Sequence, residues 1–306
     1  MTTNHSDEPP IEVFLYGAVR TYGDSEKNDT YASILTEKNY DFYLFQKIFN
    51  DEQNENNNNL TLFMKALPDH GVLYGDHDKN VNRTESAPHR HFQEGVALFY
   101  RKDRWELDGE EHGNIWYETK PKEVAPQVVV WGLFHEKTIE GYRTGKSVYV
   151  YATHFWPNSG GKRAVPSPLA DRETKIVDLM TKIASRKYSD VPVIIGADFN
   201  SGEDSPLIRF LKGEEVEIAG QPQKCPVPLV DSLRTVYPFA ERKAVASASN
   251  SIGRIRLTNN LTSKGRCDYI FVSSSLNPAD FRLIKTKTQS GVFPSYHYPQ
   301  HATLSW

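Results

Sequence analysis

The sequence is poor in cysteine: among its 306 residues, Cys225 and Cys267 are the only two. Two cysteines form at most one disulfide bond, which excludes the disulfide-rich scaffolds of small secreted proteins. Disulfide bonds persist mainly in oxidising compartments, whereas cysteines inside cells are usually reduced. The sequence therefore favours a reducing, cytoplasmic setting.

Long apolar runs are also missing, since none approaches the roughly 20 residues that a membrane-spanning helix needs. Residues 1–10 (MTTNHSDEPP) are polar and lack the basic start and apolar stretch of a secretion signal. We expect this segment to be a disordered tail, and we expect no membrane span in the chain.

An excess of positive charge is missing as well, because 36 lysines and arginines face 39 aspartates and glutamates. The net charge of −3 gives no general attraction to nucleic acids or acidic membranes. The densest basic cluster, Arg101 to Arg104, follows a predicted strand and is interpreted as a solvated turn. Nucleic acid is therefore not favoured as a partner.

What the sequence contains is typical of a folded α/β protein, with 38% hydrophobic and 25% charged residues. No repeat and no linker rich in proline, glycine or serine divides the chain, so one domain over about residues 11–306 is expected. Runs rich in β-branched and aromatic residues predict strands, and apolar residues at helical spacing predict helices. The predicted strands cover residues 11–16, 41–46, 96–101, 128–134, 148–154, 191–196, 268–272 and 301–306. The predicted helices cover about residues 30–36, 60–67 and 168–187. Residues 69–93 are expected to lie on the surface without regular structure.

Polar side chains stand at the ends of four predicted strands, where packing alone does not require them. His154 ends VYVYATH, and Asp198 and Asn200 end VPVIIGADFN. Asp268 begins DYIFV, and His297 precedes the last strand. Taken singly, each is more often a structural or surface group. Together, histidines, carboxylates and an amide at one edge are typical of a hydrolytic site or a hard-cation site.

These residues lie in segments that resemble the endonuclease/exonuclease/phosphatase superfamily, to which deoxyribonuclease I belongs. The similar segments are EGVALFYR, THF, GADFN, CDYIFV and PSYHYP, which occur in the family's order and extend over nearly the whole chain. The resemblance implies the family's fold, a four-layer α/β sandwich with two facing mixed β-sheets.

The resemblance also implies roles for the two histidines. His297 would be the base or the phosphate-contacting histidine, with Asp268 as the carboxylate that orients it. His154 would be the second histidine, with Glu94 as its carboxylate partner. A carboxylate on one ring nitrogen fixes the tautomer and raises the basicity of the other nitrogen.

By the same resemblance, Asp198 and Asn200 would position the attacking water and hold the scissile phosphate. The residues at the family's metal site, however, differ from the family pattern. The family's asparagine after the first strand is Gly17, its Mg²⁺-binding glutamate is Lys47, and the aspartate of its Ser-Asp-His segment is Tyr296. Two unit charges about 4 Å apart interact by about 4 kcal/mol at an effective dielectric of about 20, so an ammonium beside a dication would cost roughly 8 kcal/mol. We therefore expect no Mg²⁺ cofactor.

Three functions remain open. In the first, Lys47 is a fixed cation and the histidine pairs transfer protons on a phosphate ester or another anionic small molecule, without metal. In the second, the protein is a catalytically inactive pseudoenzyme that binds a ligand or protein partner through the retained cleft. In the third, it is a metal-dependent phosphodiesterase that recruits Glu52 or Asp76. The segment Gly160 to Arg163 (GGKR) could contact phosphate, although it lacks a P-loop pattern.

Overall fold

Strands and helices make up most of the described chain, which in this computed structural model comprises residues 8–18, 23–50, 58–76, 94–117, 127–155, 169–241, 246 and 265–306. The strands are β1 (Ile11–Gly17), β2 (Phe42–Phe49), β3 (His70–Asp76), β4 (Glu94–Arg101), β5 (Trp105–Tyr117), β6 (Gln127–Lys137), β7 (Arg143–His154), β8 (Val193–Asp198), β9 (Val216–Ile218), β10 (Gln221–Gln223), β11 (Leu229–Asp231), β12 (Asp268–Ser273), β13 (Asn277–Leu283) and β14 (Gln300–Ser305). The helices are α1 (Ser25–Thr36), α2 (Asn59–Ala66), α3 (Leu169–Ala184), α4 (Pro206–Leu211) and α5 (Ser232–Val236).

Two six-stranded sheets contain most of these strands. The first has the order β13-β14-β1-β2-β4-β3, and the second has the order β11-β12-β8-β7-β6-β5. The short strands β9 and β10 pair separately. The pairs β1–β2 and β7–β8 are parallel, whereas the neighbouring pairs β2–β4 and β12–β8 are antiparallel. Both sheets are therefore mixed.

Three apolar clusters hold the layers together, because successive residues of a strand point to opposite faces of its sheet. In β1, Val13 and Leu15 enter the cluster between the two sheets. Phe14 enters the cluster that joins the first sheet to α1 and α2, which also contains Phe63. The third cluster joins the second sheet to α3 and α4 and includes Ile176. The order helix, sheet, sheet, helix confirms the predicted four-layer sandwich.

The expectation of an irregular surface over residues 69–93 is wrong for its first part, because β3 forms the edge of the first sheet. Its sequence, HGVLYGD, contains two glycines and little alternation, so the local pattern does not indicate a strand. Pairing with β4 makes it one. A Cβ at Gly71 would lie 2.2 Å from Cζ of Tyr100, so the strand needs glycine where this ring packs. Residues 77–93 lie outside the described part.

Seven further elements were not predicted, and all are either short or rich in polar residues. Their sequences carry too few apolar positions for a periodic pattern to stand out. They are β5, β9, β10, β11, β13, α4 and α5.

The basic turn after β4 is not fully solvated, which corrects the interpretation of that cluster. Arg104 is buried, and its guanidinium donates to Asp41 at 2.8 Å and to Glu136 at 2.6 Å. The same group donates to the backbone carbonyls of Pro9 and Pro10, each at 2.7 Å. Two carboxylates compensate its buried charge, and the guanidinium attaches the start of the described chain to the sandwich.

Both cysteines are free, so no disulfide bond joins them. Among the helices that the structure describes, none is both long enough and apolar enough to cross a lipid bilayer.

Candidate functional site

The polar residues at the strand ends meet at one edge of the sandwich. His154 ends β7 and lies beside Asp198, which ends the parallel strand β8. Asp268 begins β12 directly opposite Asp198. The first sheet contributes Lys47 from β2 and His297 from the segment before β14. The cleft is therefore assembled from both sheets.

Lys47 enters the cleft because β2 contains a β-bulge. The register of β2 against β4 shifts between Gln46 and Ile48, which leaves Lys47 with no residue directly opposite. Its φ of 59° lies in the left-handed region, which few residues with a Cβ adopt. A bulge re-aims a side chain out of the regular alternation. Lys47 is thus buried, with 8% of its surface exposed.

The ammonium of Lys47 lies between a carboxylate and an imidazole. Its Nζ donates to Oδ2 of Asp198 at 2.9 Å and to Nε2 of His297 at 2.6 Å. Burial disfavours the ammonium, but the charge of Asp198 outweighs this effect and raises the pKa of Lys47 above its ordinary value. Burial likewise opposes ionisation of Asp198, yet Lys47 and the neighbouring histidines lower the pKa of that carboxyl. The pair is therefore charged at neutral pH.

The hydrogen bonds of His297 define the tautomer of its imidazole. Its Nδ1 lies 2.9 and 3.0 Å from the two carboxylate oxygens of Asp268, which act only as acceptors when ionised. Nδ1 therefore carries the proton, and Nε2 accepts from Lys47. Nε2 also lies 3.6 Å from Oδ2 of Asp198. The partners of both ring nitrogens thus assign the proton to the Asp268 side.

His154 lies on the other side of Asp198 in a looser arrangement. Its Nε2 is 3.6 Å from Oδ2 of Asp198, and its Nδ1 is 3.5 Å from Oε1 of Glu94. Nδ2 of Asn200 lies 3.4 Å from the same Nε2. These separations are at or beyond the limit of a direct hydrogen bond. Two imidazoles flank the Asp198 carboxylate at equal distance, and the His154–Glu94 contact is longer than the His297–Asp268 contact of 2.9 Å.

Asn200 adopts a left-handed backbone conformation, with φ of 49°, and three hydrogen bonds fix it. Its N–H donates to Oδ1 of Asp198 at 3.0 Å, and its Nδ2 donates to the carbonyl of Phe155 at 2.6 Å. Nη1 of Arg172, in the first turn of α3, donates to the Asn200 carbonyl at 2.6 Å. Sequence reasoning missed Arg172, whose only signal is an arginine on a helix that begins close to the site.

The backbone around Gly17 is fitted to His297. A Cβ at Gly17 would lie 2.9 Å from Cγ of His297, so the imidazole occupies the space that a side chain would need. Oγ of Ser295 donates to the Gly17 carbonyl at 2.7 Å and accepts from the backbone N–H of His297 at 3.1 Å. Ser295, also missed as a site residue, therefore ties the end of β1 to the segment that carries the histidine.

The ring of Tyr296 covers the ammonium of Lys47. Its ring centroid lies 4.9 Å from Nζ of Lys47 and 4.7 Å from the ring of His297. The face of an aromatic ring attracts a cation without adding a negative charge. Tyr296 thus supports the ammonium through its π system.

Of the remaining candidates, the structure describes only Asp76. Asp76 ends β3 opposite Gly95, at the edge of the first sheet. Glu52 and the segment at residues 160–163 lie outside the described residues.

Two facing mixed sheets between helical layers define the fold of endonuclease/exonuclease/phosphatase proteins, and solved structures of that class are similar to this chain over almost its whole length. A family protein from Bacteroides vulgatus has a TM-score of 0.67 and 16% identity, and the match covers 97% of this chain and 99% of that one. A mannosyl-6-phosphatase from Bacteroides thetaiotaomicron has a TM-score of 0.66 and 19% identity, with 97% and 100% covered.

The catalytic domain of human Nocturnin, with a bound sulfate anion, has a TM-score of 0.69 and 16% identity, with 97% and 95% covered. No protein-family model matches the sequence, and no curated protein matches it. At these identities the likeness establishes the fold, and it confirms the fold that the sequence motifs predicted.

Proposed function

We propose that this protein binds a phosphate ester, or a similar small anion, in the cleft around Lys47 and hydrolyses it by acid–base chemistry without Mg²⁺. The observation that carries the proposal is the position of Lys47 Nζ, 2.9 Å from Asp198 and 2.6 Å from His297. A fixed positive charge beside a base is what the transfer of a phosphoryl group requires.

The family fold implies a Mg²⁺ ion, but the groups around Asp198 do not suit one. Mg²⁺ takes oxygen ligands in near-octahedral geometry, usually one or two carboxylates together with water and phosphate. Here Asp198 is already paired with the ammonium of Lys47. At about 4 Å and an effective dielectric of about 20, that ammonium and a dication would repel by roughly 8 kcal/mol. The side chain thus supplies the positive charge itself.

The ammonium of Lys47 keeps capacity for a ligand. An ammonium has three N–H donors, and Asp198 and His297 accept two of them. No described residue accepts the third, which can therefore bind an oxygen of a phosphate group, and lysine binds phosphate as a point charge. A small anion is preferred to nucleic acid, because the chain carries a net charge of −3.

The two histidines provide the proton transfers. In the proposed reaction, Nε2 of His154 takes a proton from water as the water oxygen bonds to phosphorus. The bond from phosphorus to the ester oxygen breaks, and that oxygen takes a proton from the Lys47–His297 pair. Asp268 holds His297 in position throughout, and proton exchange with solvent then restores both groups.

Two similar structures support a small phosphate-like ligand. One is named as a phosphatase of mannosyl-6-phosphate type, and the other has a bound sulfate anion. Those properties belong to these proteins, which share the fold with this chain at under 20% identity. They support the proposal because the same fold accommodates tetrahedral anions.

A specific observation favours a second function, that of a pseudoenzyme that binds a ligand or protein partner without turnover. His154 and His297 are only 1% and 4% exposed, and Asp198 is fully buried. Nε2 of His297 is also already bonded to Lys47. In this second function the polar groups of the cleft stabilise the fold, and the ligand contacts the rim.

The two functions are separated by turnover assays with EDTA present throughout, on phosphorylated sugars, lipids and nucleotides. Lys47→Ala and His297→Ala should each lower turnover by about 10²-fold or more, which is the lower range for losing a general acid or base. Lys182→Ala and His112→Ala, at exposed positions, are matched controls and should leave turnover unchanged. Chelator should make no difference.

Loss of activity with EDTA would contradict the metal-free mechanism, and full activity in His297→Ala would exclude this cleft. Mg²⁺-dependent activity that appears only in the double variant Lys47→Glu, Tyr296→Asp would favour the pseudoenzyme. Gly17→Asn has no place in that variant, because its side chain would collide with His297.

A further inference from the structure

Three kinds of metal ligand meet on the side of the His297 ring that faces away from Lys47. Sγ of Cys267 lies 3.3 Å from Oδ2 of Asp268, and Nδ1 of His297 lies 2.9 Å from the same oxygen. One ligand atom of each residue lies within 4.8 Å of the other two. A thiol, a carboxylate and an imidazole are thus gathered in one cluster that the proposed hydrolysis uses only in part.

We propose that Cys267, Asp268 and His297 form a binding site for a divalent cation of intermediate softness, of which Zn²⁺ fits best. Zinc binds sulfur, nitrogen and oxygen at about 2.0–2.3 Å, and tetrahedral angles then place the ligand atoms roughly 3.3–3.7 Å apart. The two measured separations differ from that range by a few tenths of an ångström at most. A thiolate selects zinc over Mg²⁺, which requires oxygen ligands.

The proton balance agrees with binding of a dication. The thiol proton of Cys267 and the Nδ1 proton of His297 both point to Asp268 in the metal-free protein, and the cation replaces both. As Nδ1 loses its proton, Nε2 takes one from the Lys47 ammonium, so His297 stays a neutral ring and Lys47 becomes a neutral amine. Two protons leave and two positive charges arrive, so the net charge of the buried cluster does not change.

The cation can reach the cluster from solvent, because Cys267 is partly exposed whereas Asp268 and His297 are buried. Occupation of the site would separate Asp268 from Nδ1 of His297. If the proposed hydrolysis is correct, zinc would therefore inhibit it, and this consequence alone rests on the proposed function.

Calorimetric titration of the untagged protein with ZnCl₂ alone tests the site. We expect one bound ion, and about two protons released when the titration is repeated in buffers of different ionisation enthalpy. Cys267→Ser should weaken binding by more than about 100-fold, since even residues behind the metal ligands change affinity by 10–100-fold. Cys225→Ser is the matched control, because Cys225 is buried near the Val227 carbonyl, and it should bind zinc like the wild type.

Binding that is equal in Cys267→Ser and in the wild type would overturn the proposal, as would the absence of binding in the wild type. His297→Gln gives a second test that does not depend on the folding of the cysteine variant, and it too should lose the ion. Because zinc binding is measured without substrate, its failure leaves the proposed hydrolysis intact. A lack of turnover likewise leaves the zinc site intact.

Discussion

Two buried cations at opposite ends of β2 use their charge in different ways. At the start of the strand, Arg104 makes five hydrogen bonds, to Asp41, Glu136 and two backbone carbonyls. At the far end, about 20 Å away at the rise of an extended strand, Lys47 donates to Asp198 and His297. A guanidinium has five N–H donors and an ammonium three, so within the described part of the chain the arginine is saturated and the lysine is not.

This difference separates a structural ion pair from a binding group. A saturated cation can accept no ligand without breaking a bond that the fold needs. An unsaturated cation, held by its neighbours in one position, can accept a ligand oxygen with little rearrangement. Burial alone does not distinguish the two, because both residues are less than 10% exposed.

The largest expected effect on stability is at the saturated end. Arg104→Met should lower the free energy of unfolding by about 3–5 kcal/mol, because it leaves Glu136 buried without its cation and leaves Asp41 with only the longer Arg101 pair. Lys47→Met should cost less, because the ammonium makes one ion pair, to Asp198, and fewer hydrogen bonds than the guanidinium. Urea unfolding of both variants at neutral pH measures the difference.

Arg282→Met is the control, since its ion pair with Asp280 is largely exposed and should contribute less than about 1 kcal/mol. An equal loss in Arg104→Met and Lys47→Met would show that both clusters are purely structural. The number of hydrogen bonds that each cation makes would then not distinguish a structural cation from a binding one.

Acid should weaken the arginine end of the sandwich through Glu12, whose backbone N–H donates to Asp41. Burial opposes ionisation of Glu12, but hydrogen bonds from His301, Lys38 and Thr303 lower its pKa from 4.5 to about 2. A lowered pKa in the folded state gives stability that is present above the unfolded value and is lost as pH falls through the folded value. The contribution, up to about 3 kcal/mol, should disappear between about pH 4.5 and 2.

Urea unfolding of the wild type and Glu12→Gln over that pH range measures this loss. The stability difference between the two proteins should shrink as pH falls. A difference that stays constant would mean that Glu12 is not held in its charged form.

A smaller effect is expected at the lysine end from the glycine beside His297. Gly17→Ala places a Cβ 2.9 Å from Cγ of the imidazole, so the ring must shift, at a cost of about 1–3 kcal/mol. Gly202→Ala is a matched control, because nothing lies within 4 Å of its added Cβ. Thermal unfolding and the NMR chemical shifts of the His297 ring report the change. An unchanged ring signal would show that the cleft tolerates the methyl group.

The strands that form the core could be predicted because their apolar runs are long and local. A polar residue at the end of such a run, such as His154 or Asp198, lies at the end of its strand, whatever the register of that strand against its neighbours. This is why several candidate site residues were found from the sequence alone. The position of Lys47 beside Asp198 was expected through the family resemblance, and the two side chains are in contact.

The rest of the site depends on pairing between distant segments, which no local pattern contains. Ser295 bonds to Gly17 across 278 positions of the chain, and β3 becomes a strand only through β4. The bulge at Lys47 is a property of the β2–β4 register and not of the sequence FQKIF. Arg172 is identified only when α3 is placed beside Asn200.

The left-handed backbone at Lys47 has a consequence for how the cleft obtains its positive charge. A dissolved ion must bind from solution, so the fraction of sites that it occupies depends on its free concentration. The ammonium of Lys47 is tethered to the chain, so geometry sets its effective concentration in the cleft. Its conformational entropy is lost once, when the chain folds. Scarcity of an inorganic ion, or competition from other proteins for it, therefore leaves the charge of this cleft unchanged.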